Sequence, residues 1–439
     1  MSYIHSIDRR SFLKGLSLGS IPFFLESVAT GIPLSWFMNP GRILAEEGSG
    51  MKARYLVLST SMEGDPFLCN GPGSYIHEDM MHPVGLLTEN VRLGGLSYKV
   101  GSPWKKLEAY FPNMGFFYFS TMLSNHPEEL RALRISGATE RNEMLVSLLS
   151  EHLSLRLGTV QNKPISLGAK AEEILNFRGQ PQPNFRPLGI KNILMDRKDI
   201  FENLHQLRED SLSKILAYMK DRGNQGRKNY IEKYIQSQTE AKNLGMEILN
   251  TISSISGDDI MNQIKTALAL IMMKVTPVIT IHIDFGADNH IDVDLKNERN
   301  KLSSGVDAIA FFINQLINFK LQDEVVFASY NVFGRNMSLS KRKLRGRDHW
   351  GDASGGIIYG NRIKGNLYGG LEYNESKKDF VSLPMNAQTG MGDRGGDIST
   401  QETFASFAKT LAYAVGVSVA DVDKMILKGK CLESVVFRG

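Results

Sequence analysis

Three stretches of this sequence bring carboxylates, imidazoles, hydroxyls or a guanidinium within a few residues of one another. The first is Ser59-Thr60-Ser61-Met62-Glu63-Gly64-Asp65 and the second is His282-Ile283-Asp284-Phe285-Gly286-Ala287-Asp288-Asn289-His290. The third is Asn331-Val332-Phe333-Gly334-Arg335, followed by Gly346-Arg347-Asp348-His349. A divalent ion requires several neutral or anionic donors aimed at one point, and Asp and His are the residues that supply them. Side chains two apart lie on one face of an extended chain, so Asp288 and His290 can share a ligand, and His282 and Asp284 form a similar pair. An Asp that caps a turn beside a core His produces the same spacing. A second acid and imidazole pair, Asp348-His349, puts metal binding level with that structural reading. Arg335 offers a fixed fork of donors suited to phosphate, sulfate or carboxylate oxygens; its alternative is an internal salt bridge to Asp288 or Asp348.

These residues need a scaffold that brings distant loops together. Arg54 to Ser61 has the apolar density of a buried strand and runs into Met-Glu-Gly-Asp-Pro-Phe, which cannot continue one. Gly115 to Thr121, Pro277 to Asp284 and Glu324 to Ser329 read as further strands, with Gly355 to Tyr359 as another candidate. Helical spacing marks Glu140 to Leu155, Asp258 to Lys274, Lys301 to Phe319 and Gln401 to Ala414, the last capped by Ser399 or Thr400 and ended by Gly416. Residues 70 to 105, rich in Gly, Pro and His, read as irregular. Residues 198 to 250 read as an inserted amphipathic helical hairpin. Strands separated by helices predict an α/β fold, a mostly parallel sheet with helices on both faces, in which ligands gather at the carboxyl ends of the strands.

The first fifty residues carry a different message. Arg9-Arg10-Ser11-Phe12-Leu13-Lys14 and the moderately apolar stretch behind it have the order of a twin-arginine export signal, with processing placed near Ala45-Glu46. Glu26, Pro22 and Pro33 interrupt that stretch short of the ~20 apolar residues of a membrane span, so only an uncleaved signal would tether the chain to a membrane. The expected partner is the twin-arginine translocase and the expected location the periplasm or another exported compartment. Removing residues 1–46 leaves about 390 residues, more than a single core usually fills, so the expectation over 53–420 is one large domain with an insertion, or two lobes. With 42% apolar and 22% charged residues and a net charge of +4, the composition is globular and argues against a nucleic-acid partner. The two cysteines, Cys69 and Cys431, read equally as one disulfide or as two separate small hydrophobes.

Asp284-Phe-Gly-Ala-Asp-Asn-His290, Asn331-Val-Phe-Gly-Arg335, Gly346-Arg-Asp-His349 and the Gly-rich Gly365 to Gly370 resemble, in order and spacing, the exported bacterial family known as domain of unknown function 1501. The resemblance spans residues 53 to 417 and is most specific from 276 to 370. That family is similar to the alkaline phosphatase and sulfatase superfamily. The resemblance therefore implies an alkaline-phosphatase-like fold with a metal centre: zinc, magnesium, calcium or manganese held by Asp288, His290, Asp348 and His349, with Asp284 beside them and Asp65 matched loosely. It implies a catalytic role for Arg335 and a hydroxyl nucleophile among Thr60, Ser61 and Ser59.

Two departures cut against a complete two-metal site. Asn331-Val332 stands where the family has Ser-Glu, and no histidine follows His349. Cys69-Asn-Gly-Pro-Gly also lacks the Cys-x-Pro-x-Arg order from which sulfatases make formylglycine. The residues thus support two functions: a metal-dependent hydrolase of phosphate or sulfate esters, or an exported binding or assembly protein on a degenerate hydrolase scaffold.

Overall fold

A computed structural model describes residues 51–61, 63–64, 68–168, 175–195, 245–285, 288–341 and 346–437. The signal sequence with Arg9 and Arg10, the loop residue Asp65, and most of the expected helical insertion lie outside the described residues; residues 245–253, at the end of that insertion, are helical.

The centre of the molecule is one eight-stranded sheet. Its strands are β1 (Tyr55–Ser59), β2 (Met114–Phe119), β3 (Ile165–Leu167), β4 (Asn184–Phe185), β5 (Val278–Ile281), β6 (Val325–Tyr330), β9 (Ser354–Tyr359) and β10 (Asn366–Tyr368), with a separate two-stranded ribbon of β7 (Gly334–Arg335) and β8 (His349–Trp350) between β6 and β9 in the chain. The order across the sheet is β10-β2-β9-β6-β1-β5-β3-β4. All pairs are parallel except those of β9, which runs against both β6 and β2. The α/β architecture with a mostly parallel sheet is therefore as the sequence predicts.

The pleat divides the core. Tyr55, Val57, Phe116, Ile279, Ile281 and Phe327 point to one face, where they meet α2 (Ile260–Met272) and α3 (Lys296–Asn318). Leu56, Leu58, Phe117, Phe119, Val326 and Ala328 point to the other, against α1 (Leu145–Leu157) and α4 (Thr403–Ala414). Each fully buried aromatic or branched aliphatic side chain stabilises the fold by roughly 1.5–3 kcal/mol relative to exposure, which is why strands buried on both faces are apolar throughout. β2, Met-Gly-Phe-Phe-Tyr-Phe, is buried at every position.

The helix ends follow local chemistry. Asp259 accepts hydrogen bonds from the amides of Met261 and Asn262 at 3.0 and 3.2 Å and starts α2. Gly416, at φ +98°, closes the turn after α4 in a conformation that costs glycine little. The expected cap of that last helix differs: a 3-10 turn over Thr400–Glu402 precedes it, and the Ser399 side chain caps no amide. Residues 70 to 105 are not irregular throughout. Thr88–Leu93 and Leu96–Gly101 form an antiparallel hairpin, turned by Gly94 and Gly95, both at positive φ. No disulfide joins Cys69 and Cys431: one thiol lies beside the Arg335 carbonyl and the other beside the Lys409 carbonyl. Among the described residues no helix is long and apolar enough to cross a membrane.

Candidate metal centre

Three strand-end segments meet above the β7–β8 ribbon. The chain leaving β5 carries Asp288 and His290. The ribbon sets Arg335 directly opposite His349. The loop leaving β2 carries His126, and it is pinned to the same ribbon because the Met122 amide donates to the Gly351 carbonyl at 3.0 Å and the Ser120 hydroxyl donates to that carbonyl at 2.8 Å. The Glu128 carboxylate then turns the loop by accepting from the amides of Ser124 and Asn125 at 3.0 and 3.2 Å.

The result is a four-residue cluster. Ligand atoms of His126, Asp288, His290 and His349 all lie within 4.8 Å of one another. His349 Nε2 stands 2.9 Å from His290 Nε2 and 3.1 Å from His126 Nε2, and an Asp288 oxygen is 3.6 Å from His290 Nε2. Donors about 2.0–2.1 Å from a tetrahedral zinc are themselves about 3.3 Å apart, a spacing these distances bracket.

The protonation of the rings is set from behind. His349 Nδ1 lies 2.6 Å from the Ser124 carbonyl, which can only accept, so that nitrogen carries the proton. His290 Nδ1 lies 3.0 Å from a carboxylate oxygen of Asp348, which likewise accepts when ionised. With Nδ1 engaged on both rings, the two Nε2 atoms face the same point, where a shared proton or a cation can lie between them, and a cation there also reaches the Asp288 carboxylate. Burial first, then the charge of Arg335, holds His349 below the ordinary imidazole value, which favours the neutral ligand form.

No known family profile matches the sequence, and neither does any curated protein. Solved structures do. The layout is similar to that of sulfatases. The PsFucS1 sulfatase from Pseudoalteromonas sp. is 11% identical with a TM-score of 0.38, over 94% of this chain and 75% of that one. A protein of the alkaline phosphatase superfamily from Vibrio parahaemolyticus is 11% identical with a TM-score of 0.33, over 79% and 70%. The lipoteichoic acid synthase LtaP from Listeria monocytogenes is 8% identical with a TM-score of 0.31, over 72% and 68%. Likeness at this level identifies no activity, and the chemistry of the centre follows from its own residues.

The residues singled out from sequence fall into distinct places. Asp288, His290 and His349 are in the cluster, and Asp348 stands behind it on His290. Asp284 is exposed and paired with Lys301 Nζ at 2.7 Å, outside the cluster, because the chain turns after His282 and directs the acid towards α3. His282 faces the Thr60 carbonyl at 3.3 Å. Thr60 and Ser61 are buried, and the Ser61 hydroxyl accepts from the Glu63 amide at 3.0 Å.

Arg335 is not on an exposed loop. Its side chain is 0% exposed, under the Phe333 ring, with a terminal nitrogen 3.9 Å from Asp288. It is sealed there by Gly64, where an added Cβ would lie 2.3 Å from Arg335 Nε. Burial lowers its pKa, while Asp288 and Glu63 pull the other way. His126 is the member of the cluster that the sequence did not single out. Its signal was Ser124-Asn125-His126-Pro127 at the end of a strand, the same position that marked the other loops.

Proposed function

We propose that this protein is an exported metal-dependent hydrolase of phosphate or sulfate esters, of the domain of unknown function 1501 family and on an alkaline-phosphatase-like scaffold. One divalent ion is held by His126, Asp288, His290 and His349. The observation that carries the reading is the convergence of imidazole Nε2 atoms, two of them on rings whose Nδ1 is committed to an acceptor. A set of three imidazoles and one carboxylate suits zinc better than magnesium or calcium, which prefer all-oxygen sites, and better than manganese. When bound, such an ion supplies Lewis-acid polarisation of an anionic ester. Neutral imidazoles and a single carboxylate leave the loaded centre with a net positive charge, which favours anionic small molecules. Arg335 holds Asp288 in place from below. Arg9 and Arg10 address the chain to the twin-arginine translocase and so to the periplasm.

A second reading has its own support. Four protein donors fill a tetrahedral ion, as in structural zinc sites, and the candidate nucleophiles Thr60 and Ser61 are buried. A binding or assembly protein with one structural ion would have this arrangement.

Metal analysis of protein matured in the periplasm, combined with assays on aryl phosphate and aryl sulfate, separates the two. About one zinc per chain with turnover abolished by chelation is expected. Bound zinc without turnover of either ester class would establish the second reading, and folded metal-free protein that binds no added zinc would overturn both.

A further inference from the structure

Behind the histidines lies a second, wholly buried polar cluster centred on Glu298, in the first turn of α3. Its side chain and that of Arg347 are both 0% exposed. Glu298 Oε1 accepts from Asn70 Nδ2 at 2.7 Å and Arg347 Nη2 at 3.1 Å, and Oε2 accepts from Asn289 Nδ2 at 2.8 Å and Arg347 Nε at 2.8 Å. One carboxylate therefore ties together three loops: that after β1, that after β5, and the approach to β8. Arg347 spends its other donors on the carbonyls of Asn336 at 2.8 Å and Met81 at 2.5 Å. Burial disfavours its charge, and Glu298, together with Cys69 and Asp379, more than restores it.

Two of the tied residues sit next to the metal-centre residues in the chain. Asn289 immediately precedes His290, and Arg347 immediately precedes Asp348 and His349. The backbones are sewn together at the same place: the Gly346 amide donates to the His290 carbonyl at 2.8 Å and the Arg347 amide to the Asn289 carbonyl at 3.1 Å. We propose that Glu298 and Arg347 are positioning residues for the metal centre, setting the separation of His290 from His349 before any ion arrives. This rests on the metal reading above. A bidentate carboxylate and guanidinium pair is directional, so it fixes both distance and orientation, which apolar packing between the same loops would not.

Removing one partner strands a buried charge and endangers folding. The variant to make is therefore Glu298→Met together with Arg347→Met, which removes both charges at similar volume. Zinc titration by calorimetry and the visible spectrum of added cobalt(II) are read on wild type and variant, with circular dichroism and melting temperature as the check on folding. The expected result is a folded variant that binds zinc about 10–100-fold more weakly, with a weakened and shifted cobalt spectrum. Should that variant not fold, Asn289→Ala, which keeps the ion pair and severs only the bond beside His290, is expected to weaken zinc binding at least tenfold. Wild-type zinc affinity and an unchanged cobalt spectrum in either folded variant would overturn the positioning role while leaving the metal reading intact. Wild-type protein that binds neither ion would overturn the metal reading itself, and the positioning role with it.

Discussion

Arg335 and His349 face each other across the two-stranded ribbon, one side chain sealed beneath the cluster and the other a member of it. The ribbon can pack this closely against the chain entering β9 only because Gly334 lacks a side chain: a Cβ there would lie 1.7 Å from the Ala353 carbonyl oxygen. The consequences of this packing can be measured.

Arg335→Ala is expected to destabilise the fold by roughly 2–5 kcal/mol, because a fully buried side chain is replaced by a cavity. Arg335→Met keeps the apolar stem and should recover most of that loss. Thermal melts with and without phosphate check this. An unchanged melting temperature in Arg335→Ala with loss of phosphate protection would contradict a buried structural role and restore direct anion binding.

His126→Ala should lower bound zinc well below one per chain, and the melting temperature of the metal-free protein should change little, since the ring is only half-buried on a surface loop. Elemental analysis with parallel melts in chelator tests both parts. Full zinc retention would remove His126 from the ligand set.

Asp348→Ala removes the acceptor behind His290 Nδ1 without touching a ligand. A loss of zinc affinity of about 10–100-fold is expected, as for other groups that orient a metal-binding imidazole. Calorimetric titration gives the answer, and wild-type affinity would show that the hydrogen bond is not needed to orient the ring.

Gly346→Ala places a Cβ 1.7 Å from the Asn289 carbonyl oxygen, backbone against backbone. Overpacking of this kind costs about 1–3 kcal/mol and should lower the melting temperature by several degrees. Zinc affinity should fall with it, because the strand of contact between residues 289–290 and 346–347 is forced open. A melting curve identical to wild type would show that the loops have slack.

His82 stacks on Tyr75 with ring centroids 3.8 Å apart and reaches Asn70 at 3.1 Å. Burial first, then Arg347 and Lys99, pushes its pKa down to about 3. An unfolded histidine titrates near ~6.5, so the neutral ring contributes stability that is complete above that pH and declines as pH falls towards the folded value. Melting temperature should therefore drop between about pH 6.5 and 5, ahead of most carboxylates, and His82→Gln should flatten that slope. Equal slopes for the two proteins would place the titration elsewhere.

The sheet strands β1, β2, β5, β6 and β9 were legible in the sequence because burial on both faces leaves continuous apolar runs such as Tyr-Leu-Val-Leu. Strands β3 and β4 were not, since strands of three and two residues carry too little pattern. The reversed direction of β9 was also invisible, because an apolar run has no polarity; only the ribbon that precedes it turns the chain back. That reversal places β9 between β6 and β2, and β2 delivers His126. The pairs Asp288/His290 and Asp348/His349 could be read from spacing, whereas His126 stands alone in its loop and acquires meaning only from a neighbour more than 150 residues away in sequence. Arg335 and Glu298 show the converse limit: charge type alone does not reveal that a side chain will be wholly enclosed.

The histidines of the cluster belong to three widely separated stretches of chain, and the two cysteines form no disulfide. An ion seated among them would cross-link those stretches, doing for the folded chain what a disulfide does in many exported proteins. A chain cut by protease in the exposed segments between those histidines should then need more denaturant to come apart into fragments while zinc is present than after a chelator removes it.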